Sequence, residues 1–162
     1  MERAPNPSAL DRVVSWITQT MVRHGFRSTL SVVHSHQVQI EHLQQTLDYT
    51  IPFRHPLFNP VLYSAADMRQ KLDLLHQIRL SLGDLDVVIE GARHTFEENA
   101  IELARIFRFA ISTDQELPRS WTLVEGLHLD LNDCQEVTMA FRGLLDELYI
   151  WLLARSVSAV AD

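Results

Sequence analysis

Asp73, His76, Glu90 and His94 are the residues of this chain whose types and spacing come nearest to a metal-ligand set. Asp73 and His76 stand i, i+3 and Glu90 and His94 stand i, i+4, so each pair projects from one side of its own helix. A turn at Gly83–Asp84 would make the two segments antiparallel neighbours, with Asp73 level with His94 and His76 level with Glu90. The set would then present two carboxylates and two imidazoles to one ion. The same residues equally form an exposed flank of salt bridges and hydrogen bonds beside a core, and that is the reading adopted, with no metal and no cofactor expected.

Arg69 and His76 offer a second chemistry. Seven residues apart on a helix, they lie about 20° from alignment, so an arginine that holds phosphate and a histidine that moves protons would share a face. This pair resembles the Arg-x(4–6)-His element of HEPN-type helical ribonucleases. The resemblance covers these two residues, and it implies RNA cleavage with Arg69 and His76 as the catalytic pair.

Other sources of chemistry are thin. Glycines 25, 83, 91, 126 and 143 are too scattered for a phosphate-cradling loop, and there is no Gly-x-Ser-x-Gly elbow. Cys134, the single cysteine, excludes an internal disulfide and sits on an apolar stripe, where a small buried hydrophobe is expected despite His128 nearby in sequence. In the patch His34-Ser-His36 with Glu41-His42, helical geometry points His34 and His36 about 200° apart, so only His34 and Glu41 share a face. His36 falls on the inner seam, as a hydrogen-bonded core histidine or a group whose protonation loosens the packing.

Charge is unevenly distributed. The net charge is −7. Residues 1–81 carry a balance of +2 and residues 82–162 one of −9. With one lysine, Lys71, and no basic run, the chain lacks the clustered cations that replace phosphate counterions, so nucleic-acid binding is not expected. Asp84, Asp86, Glu90, Glu97, Glu98 and Glu102 form an acidic helix flank with little internal compensation. Its natural complement is a basic groove on a partner, or the more basic half of a second copy. Phe53 and Phe58 in a proline-rich loop and Trp151 near the chain end are apolar anchors for the same purpose.

The elements that must position these residues are helical. At 162 residues, 46% apolar and 22% charged, the chain reads as one globular domain over 1–162, with residues 1–7 flexible. The longest stretch without Asp, Glu, Lys or Arg is Ser28–Ile40, too short to span a bilayer, and the first residues lack a secretory pattern, so a soluble intracellular protein is expected. Apolar residues recur at helical spacing over about 8–24, 29–49, 61–82, 85–112 and 131–156, with starts at Ser8, Ser28, Asn59–Pro60 or Ser64 with Asp67, Asp84, and Asp130 or Asn132. Thr50–Pro60 holds three prolines and is read as a loop lying against the bundle, whereas 113–130 is read as a long connection. The weak point is Gly83, through which the apolar phase runs almost unbroken, so one long helix over 61–112 stays open.

The expected fold is therefore an all-α single-domain bundle of four to five long helices. The expected function is a non-enzymatic interaction module, binding a protein partner or itself through the acidic flank, the Phe53–Phe58 loop and Trp151.

Overall fold

A computed structural model describes residues 9–109 and 117–161. The expected cap at Ser8, the flexible residues 1–7 and the stretch 110–116 lie outside them. Among the described residues the chain is all-helical, with helices α1 (Ala9–Thr50), α2 (Ala65–Phe109) and α3 (Leu117–Ala161), and a 3-10 turn at Pro60–Leu62 between the first two. No helix among the described residues is long and apolar enough to cross a membrane.

Three expected interruptions are absent. Residues 9–50 form one helix through Gly25 and Ser28, and residues 65–109 form one helix through Gly83 and Gly91, so neither the boundary at 24–29 nor the hairpin at Gly83–Asp84 exists. The third helix begins at Leu117 rather than Asp130, with Pro118 in its first turn, where a missing N–H costs nothing. The reason is a heptad pattern that glycine does not interrupt. Phe26, Thr29, Val33, His36, Ile40 and Leu47 are buried on α1. Leu75, Ile78, Leu82, Leu85, Ile89, Ala92, Phe96 and Leu103 are buried on α2, and Val124, Leu127, Leu131, Cys134, Thr138, Phe141, Leu145, Leu148 and Leu152 on α3. Spacings alternate three and four, apart from steps of seven from Ile40 to Leu47 and from Phe96 to Leu103, which keeps a single apolar seam on each helix. A helical glycine costs about 1 kcal/mol, less than the burial of one leucine. No described glycine has positive φ, so none acts as a helix-ending residue. The alternating Leu127-His-Leu-Asp-Leu131, which looks like a short extended run, resolves the same way: Leu127 and Leu131 are seam residues while Leu129 is 60% exposed.

The described residues cluster into two compact units, Met1–His34 with Ile89–Asn132 and Ser35–Val88 with Asp133–Asp162. In the first, Phe26 meets Phe96 edge-on at 5.5 Å and His128 stacks on Phe96 at 6.1 Å. Arg93 donates to Asn132 Oδ1 at 2.7 Å, tying α2 to α3. Thr29 is buried there with its hydroxyl unpaired. In the second unit, Ile40, Leu47, Leu75, Leu82, Phe141 and Leu145 belong to one core cluster, with Leu43, Phe53, Phe58 and Leu144 packed partly buried against it.

The proline-rich loop lies against this unit as expected. Pro52 ends α1, Ile51 is fully buried with its N–H donating to Leu47 O, and Asn59 caps the 3-10 turn. The next helix starts from a capping box. Ser64 Oγ accepts from Asp67 N at 3.1 Å, and Asp67 Oδ2 accepts from Ser64 Oγ at 2.7 Å.

Two stability measurements follow. A Cβ added at Gly83 meets nothing within 4 Å. Gly83→Ala is thus expected to raise the unfolding free energy by about 0.5–1 kcal/mol in urea melts, whereas a helix-ending Gly83 would make it destabilising. Thr29→Val removes a hydroxyl that lost its water without gaining a partner and should stabilise by about 1 kcal/mol; a loss of stability would show that the hydroxyl is satisfied.

Candidate functional site

The residues singled out for metal chemistry are not brought together. Without the Gly83 hairpin, Asp73, His76, Glu90 and His94 lie along one continuous helix, and the seventeen residues from Asp73 to Glu90 amount to about 25 Å of rise. Among the described residues no group of three or more His, Cys, Asp or Glu is placed to hold a metal ion. His94 instead pairs with Glu98, one turn on, at 3.2 Å on the exposed surface.

Arg69 and His76 are both exposed on α2. His76 lines a shallow groove of about 300 Å³ between α2 and α3, with Asp73, Arg79, Asp146 and Tyr149. Arg79 and Asp146 bridge it at 3.1 Å, occupying the cation that a phosphate would need. Arg69 is not part of that lining.

The acidic flank is more compensated than its sequence suggests. Asp86 is held by Arg142 across the α2–α3 interface, Glu98 by His94, and Glu102 by Arg105 at 2.7 Å. Asp84 and Glu97 are exposed, as is Glu90. The aromatic anchors are also partly engaged. Phe58 packs between Tyr63 at 6.0 Å and Trp151 at 5.8 Å, while Lys71 sits over Tyr63 and Arg155 over Trp151. Phe53 leans on the core under Arg54. Phe58, Tyr63 and Trp151 with Lys71 and Arg155 therefore form one cation–aromatic cluster and Phe53 with Arg54 a separate pair, and Leu57 and Leu62 are exposed.

The broad apolar stripe of α3 resolves into two. Its inner edge is the core seam. Its outer edge, Val137, Ala140 and Leu144, borders a groove of about 420 Å³ between α1 and α3, lined also by Phe141, Asp48 and Arg54. Val137 is 43% and Trp151 36% exposed. Farther out, Met139 and Ile150 are 70% and 66% exposed. In the sequence Val137 and Leu144 read as part of one broad apolar stripe with Phe141 and Leu145, and periodicity by itself does not say which edge of that stripe is buried.

His36 is the buried titratable group. It is 2% exposed on α1, and its Nε2 lies 2.9 Å from Thr138 Oγ1 on α3. That hydroxyl spends its one hydrogen on Cys134 O at 2.9 Å, so it accepts from His36, which fixes the Nε2–H tautomer of the neutral ring. Burial pushes the His36 pKa below its ordinary 6.5, and the Asp86 carboxylate, held by Arg142, pulls the other way with smaller effect. Cys134 is buried on the same seam, as its stripe predicts.

Because the folded chain binds this proton less readily than the unfolded chain, stability is complete above pH 6.5 and falls as pH drops through and below that value. Thermal melts near neutrality and in the mildly acidic range should show this loss in the native chain and a smaller one in His36→Leu. Equal acid sensitivity in the two would place the titrating group elsewhere.

Comparison with protein-family models, with curated proteins and with solved structures gives no match.

Proposed function

We propose that the chain is a non-enzymatic protein–protein interaction module, of the adaptor, inhibitor, effector or assembly-subunit kind. The observation that carries this reading is the outer face of α3. A helix in a bundle needs one apolar stripe, and α3 has a second bordering a groove of about 420 Å³, with Met139, Ile150 and Leu153 exposed beyond it. Exposed apolar side chains on regular helical backbone suit recognition in which an amphipathic helix lays its apolar face into a groove. The acidic positions Asp84, Glu90, Glu97, Glu98 and Glu102 supply a field that steers a basic partner, with Asp86 committed to Arg142. Phe53, Phe58 and Trp151 contribute through the cation–aromatic cluster and pair.

The ribonuclease and metal readings lose support for specific reasons. Arg79, the cation beside His76, is bridged to Asp146, and the four metal-ligand candidates are strung along α2.

The reading is tested with Met139→Glu and Ile150→Glu in one chain. Both positions are outward, so the denaturation midpoint should move little, by about 0.5 kcal/mol or less. Immobilised native chain should retain a stoichiometric binding partner that the double variant loses. Equal retention by the two, or RNA cleavage by the native chain that His76→Ala abolishes, would overturn the interaction reading in favour of another face or of catalysis.

A further inference from the structure

The outer stripe of α3 is complementary to itself when reversed. It runs Asp133, Val137, Ala140, Leu144, Glu147, Trp151, Ala154, alternating steps of four and three as a packing seam does. About Leu144 the two ends mirror one another. Val137 and Trp151 are each seven residues from it, a small and a large apolar side chain; Asp133 and Arg155 are each eleven residues from it, one anionic and one cationic.

Both charges are available. Asp133 and Arg155 are exposed, Arg155 rests over the Trp151 ring at 5.4 Å, and neither takes an opposite charge among the described residues. Arg54, which lines the groove with Leu144, rests over the Phe53 ring, again without a carboxylate partner among the described residues. Asp48 in the same lining keeps the groove from being uniformly basic.

We propose that this face is a homodimer interface. The α3 helix of one copy lies antiparallel against α3 of a second copy, about a twofold axis at Leu144, with Arg155 of each chain opposite Asp133 of the other. This rests on the interaction reading above and adds a second copy as a partner on the Val137–Leu144 face, apart from Met139 and Ile150. Antiparallel alignment by a twofold axis places residues equidistant from the centre level with one another, so each Val137 meets a Trp151 and each Asp133 an Arg155. Small against large keeps the helices close at both ends, and Ala140 leaves room at the middle for Glu147 of the second copy to approach Arg54. Opposite charges equidistant from one residue, with apolar side chains between, suit the self-complementary surface of an isologous contact. The second copy also covers Val137 and Trp151, which the fold leaves at 43% and 36% exposure.

Sedimentation equilibrium on the intact chain over a wide concentration range tests this, with a urea melt on each variant. The native chain should be a reversible dimer. Val137→Glu should leave the melt close to native and give a monomer. Asp133→Arg or Arg155→Glu alone should weaken the dimer about tenfold, since each breaks both symmetric ion pairs and adds repulsion, and the two together should restore it. A native chain that stays monomeric, a dimer indifferent to Val137→Glu, or a double variant no tighter than the single ones would overturn the proposal. A monomer that still retains a different partner through Met139 and Ile150 would overturn only the homodimer; a monomer with no such partner would remove the interaction reading as well.

Discussion

The alternation of three and four residues between buried positions is the constraint on which everything else in this structure depends. An α-helix has 3.6 residues per turn, so a seam repeating every 3.5 keeps facing its neighbours only while the alternation is unbroken. In α2 it continues from Leu75 to Leu103 across Gly83 and Gly91, and in α3 from Val124 to Leu152 across Gly126 and Gly143. Glycine weakens such a helix locally without ending it. What ends α1 is Pro52, which removes a donor and pushes Ile51 out of helical conformation.

Within that apolar seam the polar members stand out, and they are not equivalent. His36 and Thr138 satisfy one another across two helices, with Cys134 O taking the remaining hydrogen. A hydrogen-bonded polar pair inside a coiled-coil seam fixes register, because any slip leaves two buried polar groups facing leucine. Thr29, three residues after Phe26 on the same face, has no such partner. One seam thus holds both a polar contact that specifies alignment and one that only subtracts from stability. The same position that specifies register makes the fold sensitive to acid, since protonating His36 puts a buried charge that Asp86, already engaged by Arg142, offsets only in part.

The third helix is where fold and proposed function meet. Its inner stripe is consumed by the core, Arg142 and Asp146 are consumed by ion pairs to Asp86 and Arg79 on α2, and the side toward α1 keeps Val137 and Ala140 accessible. A polar residue at Val137 would have suited a monomer as well or better. An apolar choice beside a groove is the feature that the interaction reading explains and that the metal and ribonuclease readings leave untouched.

The sequence by itself determined that the chain is helical, where the first loop falls, that a helix starts after it at Asn59–Pro60 or at Ser64 with Asp67, and that His36 and Cys134 face inward. Each of these rests on local physics: periodicity, proline geometry, capping and side-chain polarity. It did not determine the number of helices. Gly25, Gly83 and the Pro118–Gly126 stretch carry the same local signals whether a helix breaks there or runs on. The choice turns on whether packing across helices outweighs about 1 kcal/mol per glycine. Tertiary structure decided that in favour of continuity, and in doing so dispersed Asp73, His76, Glu90 and His94 along α2. It likewise decided which edge of the broad stripe on α3 became core, because only the neighbouring helices choose which face of a helix is covered.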